Sequence, residues 1–204
     1  MGKSTAAAML RRLGVPLCDA DQAVHRLLAP GGGAVRNVAD AFPGVETAAG
    51  GIDRGLLGQR VFADAAALSR LEAILHPMVA AEEKRFLNLA RSRRERLAVL
   101  DVPLLFETGG ERRCDYVLVV SAASLIQRQR VMRRPGMTEI RLAAILRKQM
   151  PDCEKRRRAD FVVPTGLGRN LTLRHMRIIV TLLKEQNLPH RTVRRPPSPA
   201  CMRG

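Results

Sequence analysis

Leu97-Ala98-Val99-Leu100-Asp101-Val102 is apolar throughout but for one Asp, the pattern of a strand in a parallel sheet covered on both faces. Asp115-Tyr116-Val117-Leu118-Val119-Val120 repeats it, after an intervening Pro103-Leu104-Leu105-Phe106-Glu107. Helical periods flank both runs. Leu68–Leu75 precedes them, Leu125–Arg134 follows and ends at Pro135-Gly136, and Thr138 is placed to cap a helix over Glu139–Gln149. Asp160–Val163 reads as another short strand, and Leu171–Gln186 as a closing helix with Leu173, Met176, Ile179, Val180 and Leu183 on its apolar face. Strands alternating with helices predict an α/β fold with a parallel sheet.

Working outward to the start of the chain, Gly2-Lys3-Ser4-Thr5 has the form of the back half of a phosphate-binding loop, G-x-x-x-x-G-K-[ST]. Ala6, Met9, Leu10 and Leu13 recur at helical spacing behind it, and Gly14 is a stop signal. The N-terminus of such a helix favours anions through its N–H groups and dipole. Four residues alone are equally a polar helix start. Val15–Cys18 is a short apolar run that ends in Asp19-Ala20-Asp21. Carboxylates just past a strand are where an α/β fold places its chemistry, and they are also good N-caps; one Asp can cap while the other works.

Gln22–Leu28 and Ala34–Phe42 read as helices around Pro30-Gly31-Gly32-Gly33, and a further helical segment runs from Arg54 to Phe62. His76-Pro77 is read as a break between two helices. Lys155–Arg158 is a basic run, and the Pro- and Arg-rich tail from Pro189 is expected to be disordered.

The net charge of +16, from 35 Lys and Arg against 19 Asp and Glu, suits a polyanionic partner, either nucleic acid or a phosphorylated small molecule. With one Tyr and no Trp, the interleaved aromatics of a nucleic-acid reader are missing, so no specific nucleic acid is expected. Cys18, Cys114, Cys153 and Cys201 are scattered without metal-ligand spacing and read as reduced thiols. No apolar run approaches the roughly 18 residues that span a bilayer, and no signal-peptide pattern is read. The expectation is a cytoplasmic protein with no membrane partner.

Taken in order, G-K-S-T, D-A-D, P-G, D-R, H-P, V-P-L-L-F-E, D-Y-V-L-V-V, Q-x-x-R, R-x-G-M, R-K-Q-M-P and R-A-D-F-V resemble the dephospho-CoA kinase family over about Gly2 to Leu183. The resemblance implies a P-loop, nucleoside-monophosphate-kinase-like core with flanking helices. It also implies a helical CoA-binding insertion over about 25–96, a lid over about 136–158, and a basic tail at 189–204 outside a kinase domain of 1–188. It implies transfer of the ATP γ-phosphate to the ribose 3′-hydroxyl of dephospho-CoA, with Mg²⁺.

By position, Gly2, Lys3, Ser4 and Thr5 would bind ATP, with Lys3 on the β/γ-phosphates and Ser4 on the metal. Asp21 would be the base or positioning group for the hydroxyl, and Arg130 a phosphate clamp. Asp19, Arg54, His76, Pro103, Leu104 and Glu107 would surround the acceptor. Arg141, Arg147 and Lys148 would be lid cations, although the family more often has Arg at the last position.

In the family an apolar strand and the front half of the loop precede G-K-S-T, and that strand is central. Losing it would forfeit about five buried side chains at roughly 1.5–3 kcal/mol each, on the order of 10 kcal/mol. The expectation is therefore a start some strand-plus-loop length upstream of Met1, the rival being a truncated, inactive homologue. Two other readings stand beside it: a kinase for another small phosphorylated acceptor, and a basic nucleic-acid-binding protein using Arg191–Arg195.

Overall fold

The structure, a computed structural model, describes residues 2–62, 64–133 and 136–185, with Lys148 by its backbone alone. In chain order the elements are α1 (Lys3–Arg12), β1 (Leu17–Asp19), α2 (Ala20–Leu28), α3 (Val35–Ala41), α4 (Arg54–Phe62), α5 (Ala65–Ser92) and β2 (Val99–Asp101). After a 3-10 turn at Gly110–Arg113 come β3 (Leu118–Ser121), α6 (Ser124–Met132), α7 (Glu139–Lys148), α8 (Asp152–Arg158), β4 (Phe161–Pro164) and α9 (Arg169–Glu185). They fall into two compact units: Val15–Pro103, and Met1–Gly14 together with Leu104–Gly204. The tail expected from Pro189 lies outside the described residues.

The fold is α/β with parallel strands. β1 pairs with β2, Leu17 opposite Val99 and Asp19 opposite Asp101. β3 pairs with β4, Leu118 opposite Phe161 and Ser121 opposite Pro164. Among the described residues these are two separate two-stranded sheets. The apolar runs expected to be covered on both faces are only half-buried over Val99–Asp101 and Leu118–Val120. A ladder two strands wide is too narrow to be sealed by layers on both sides, which corrects that expectation.

In the unit Val15–Pro103 the core is helical. Leu27, Leu28, Val38, Phe42, Val45, Ile52, Leu57, Leu71 and Leu75 form one buried cluster. Asp64 caps α5, its Oδ1 accepting from the N–H groups of Ala66 and Ala67 at 2.8 and 3.1 Å. The break expected at His76-Pro77 is not there: α5 runs unbroken for 28 residues with Pro77 inside it. An interior Pro costs about 3 kcal/mol. Ile74 and Leu75 before it, and Met78 and Val79 after it, pack on the same cluster, so burial on both sides of Pro77 holds the helix together.

In the other unit α1 packs on α9, and α9 on β4. Met176 and Val163 are fully buried there. α1 buries Ala6, Ala7, Met9 and Leu10, and Gly14 follows its C-cap with φ +70°. Tyr116 and Phe161 meet at the start of β3 and β4, ring centroids 6.0 Å apart. Asp160 closes the same end, Oδ2 accepting from the Val117 N–H at 2.8 Å.

Candidate functional site

The carboxyl ends of β1 and β2 carry the acids. Asp19 ends β1 and caps α2, Oδ1 accepting from the Gln22 N–H at 3.2 Å. The capping duty thus goes to Asp19. Asp21 stands exposed in the first turn of α2, where the dipole favours its negative charge. Asp101 lies opposite Asp19 in the register, a residue the sequence reading passed over. Its signal was present: one charge in an otherwise apolar strand.

Arg54 begins α4, entered through Asp53, whose Oδ1 accepts from the N–H groups of Gly55 and Leu56 at 2.8 and 3.0 Å. The Arg54 guanidinium contacts His25 Nε2, so the structure brings these two together. His76 is exposed on α5, and Pro103 is exposed just beyond β2. Cys18 is buried in β1; burial first, then the nearby Glu83 carboxylate, push its thiol above the ordinary value.

The other unit gathers the phosphate-binding candidates. Gly2 precedes α1 at φ +91°, and no side chain caps the helix. A Cβ at Gly2 would stand 3.1 Å from Thr165 Cβ and Oγ1, tighter than ordinary contact, and the left-handed φ strains any other residue. Lys3 and Thr5 are half-buried in the first turn, and Ser4 is exposed.

Thr165 is the hub that sequence reading missed. Its N–H and Oγ1 both donate to the Ser121 carbonyl, at 2.8 and 3.1 Å. Arg130 of α6 donates from Nη2 to the Thr165 carbonyl at 2.8 Å and from Nη1 to Thr165 Oγ1 at 3.3 Å. Arg130 and Gly2, 128 positions apart in the chain, therefore converge on one threonine. Nothing in the local pattern around Thr165 announces this.

Leu104, φ +55°, opens the turn that holds Glu107. Glu107 Oε1 accepts from the Met150 N–H at 2.7 Å and from Lys155 Nζ at 2.9 Å. Burial works to raise its pKa; the bonds from Lys155 and Met150 outweigh that and hold the carboxyl below its ordinary 4.5. Ser121 Oγ donates to Asp152 Oδ2 at 2.6 Å, and the Arg158 guanidinium lies over the Phe106 ring, 5.8 Å from its centroid.

On α7, Thr138 caps the helix as expected, and Arg141 donates to the Gly136 carbonyl at 2.6 Å. Arg147 is exposed, while the Lys148 side chain lies outside the described residues. A cleft of about 900 Å³ is bounded by Ser121, Ser124, Gln127, Met150, Asp152 and Gly166, a volume within the range of small-molecule sites.

Among the described residues no group of three or more His, Cys, Asp or Glu could hold a metal. A hard cation is not thereby misplaced. Mg²⁺ is commonly held by one or two protein groups, with substrate phosphates and water completing its shell, so it needs no such cluster.

A parallel α/β chain with a glycine-led, uncapped helix start, a clamped Arg and strand-end carboxylates is of the phosphotransferase class. The family follows from comparison with known proteins. The chain belongs to the dephospho-CoA kinase family, whose model matches residues 1–167.

It is 55% identical over 184 residues to the dephospho-CoA kinase of Rhodospirillum rubrum, spanning 90% of this chain and 87% of that one. Identity to the dephospho-CoA kinase of Paramagnetospirillum magneticum is 60%, over 90% of this chain and 86% of that one. The crystal structure of TT1252 from Thermus thermophilus superposes with TM-score 0.73 at 36% identity, covering 89% of this chain and 91% of the other. A Campylobacter jejuni dephospho-CoA kinase, at 22% identity, shares the fold with TM-score 0.69 over 92% of this chain and 94% of its own.

Proposed function

We propose that this protein transfers the γ-phosphate of ATP to the ribose 3′-hydroxyl of dephospho-CoA, giving CoA and ADP. The observation that carries the reading is family membership along nearly the whole chain, with 55% identity over 184 residues to a dephospho-CoA kinase. The site residues are compatible in kind. Phosphoryl transfer needs in-line positioning and cations on the phosphate oxygens more than covalent help.

In this reading the N–H groups at the start of α1 and Lys3 hold the β- and γ-phosphates, and Arg130 adds a clamp. Ser4 would help hold Mg²⁺, which supplies charge on the phosphates when bound. Asp21 orients the 3′-hydroxyl and takes its proton as the oxygen–phosphorus bond forms; the bond from the γ-phosphorus to the β–γ bridging oxygen breaks and ADP leaves. Asp19, Arg54, His76, Pro103 and Leu104 form the acceptor-side set. Residues 136–158 act as a lid that brings Arg141 and Arg147 in and keeps water out. The exposed basic and acidic surface suits work in the cytoplasm.

The test is ADP formation with ATP, Mg²⁺ and dephospho-CoA, with AMP and CMP as comparison acceptors. Turnover confined to dephospho-CoA supports the reading; equal turnover with AMP or CMP transfers it to another small phosphorylated acceptor. The same assay on a version extended upstream by an apolar strand and glycine-rich loop tests the expectation that such a segment belongs before Gly2. If neither version turns over, the kinase reading fails.

A further inference from the structure

We infer that Glu107 is a positioning residue that fixes the corner between α7 and α8, rather than a group that contacts the acceptor. The inference rests on the kinase reading only for what the corner is used for; the tie itself stands on geometry.

A single oxygen, Oε1, takes two donors from that segment, the Met150 N–H at 2.7 Å and Lys155 Nζ at 2.9 Å. The side chains of Lys155 and Glu107 are 14% and 16% exposed, unlike the Arg128–Glu139 pair nearby at 59% and 58%. The inner pair is shielded from solvent, so its attraction is screened less than that of a surface pair. Met150 directly follows Gln149, the C-cap of α7. Holding its N–H therefore holds the end of the helix that carries Arg147. Lys155 sits one turn into α8, so the same carboxylate reaches across the corner to the next helix.

Two further ties lead from α8 to the same body. Asp152 is bonded to Ser121 Oγ at 2.6 Å, and the Arg158 guanidinium lies on the Phe106 ring. Ser121 in turn receives Thr165, which receives Arg130. The corner and the phosphate clamp are thus parts of one hydrogen-bonded framework. The other oxygen, Oε2, is buried without a hydrogen-bond partner, and so is closed to a substrate hydroxyl arriving from solvent. A corner left to swing on Met150 and Pro151 would not return Arg147 to one position at each turnover.

Hydrogen exchange on the full chain reads the tie directly. In Lys155→Met the Met150 amide and its α8 neighbours should lose roughly tenfold to a hundredfold of their protection, as loss of a charge-assisted contact implies. Glu107→Ala should lose as much or more. Glu107→Gln, which keeps an acceptor for Met150, should retain most of it, and the Glu107→Ala and Lys155→Met effects should be less than additive in the double variant.

In steady-state assays Lys155→Met should lower kcat/KM for ATP about tenfold with the dephospho-CoA KM within about twofold of wild type. Unchanged protection in Lys155→Met overturns the tie. A raised dephospho-CoA KM in Glu107→Gln beside wild-type kinetics in Lys155→Met overturns the positioning role and returns Glu107 to the acceptor. If wild type itself shows no phosphoryl transfer, the kinase reading fails while the exchange data still decide the tie.

Discussion

The two parallel strand pairs end in opposite chemistries. β1 and β2 finish side by side in Asp19 and Asp101, with Asp21 two residues on in the first turn of α2. β3 and β4 finish in Ser121 and Pro164, followed by Thr165, which holds Arg130. Under the proposed function the acids would serve the acceptor and the clamped cation the phosphate donor.

The pairs also differ in how their groups are held. Asp19 and Asp21 owe their places to the three-residue step from strand to helix, a local device. Arg130 owes its place to a threonine 35 residues away and, through it, to Gly2. An acid placed by local sequence can be altered with little disturbance; a cation placed by a framework cannot.

That contrast can be broken in order of expected effect. Asp21→Asn should lower kcat by about 10²–10⁴ while the melting temperature and ATP affinity stay as in wild type. A loss below tenfold would remove Asp21 from the chemistry. Arg130→Lys should lower kcat/KM by about tenfold to a hundredfold, because an ammonium cannot keep both Thr165 contacts and still meet a phosphate. Gly2→Ala should destabilise the unit that holds α1 by about 1–3 kcal/mol through a strained φ and contact with Thr165, seen as a lower melting temperature.

The smallest effect is one of pH. Folding holds the Glu107 carboxyl below its ordinary 4.5, so its contribution to stability is present above that value and is lost as pH falls through the lower folded value. Glu107→Gln should flatten this acid limb of the stability profile, measured by denaturant unfolding at stepped pH. An unchanged limb would assign the acid sensitivity to other carboxylates.

Much of the fold was legible because its signals are local. Continuous apolar runs marked β2 and β3, Thr138 marked the start of α7, and Gly14 marked the end of α1. Pro77 was misread for the reason that a local rule lost to packing: residues on both sides of it share one core. The strand-end acids were legible as D-A-D, although Asp101 could be paired with Asp19 only once the register was known. The contacts of Glu107 with Met150 and Lys155, and of Arg130 with Thr165, span 35 to 48 positions. Periodicity carries no information about which distant side chains meet.

The most direct test of the account follows the phosphate itself. With ATP labelled in the γ-phosphate, Mg²⁺ and dephospho-CoA, the label should appear on the ribose 3′-oxygen of the product, one phosphate for each ADP formed, and Asp21→Asn should abolish most of it. Label released only as inorganic phosphate, or carried equally to AMP, would contradict the assignment of this site to dephospho-CoA.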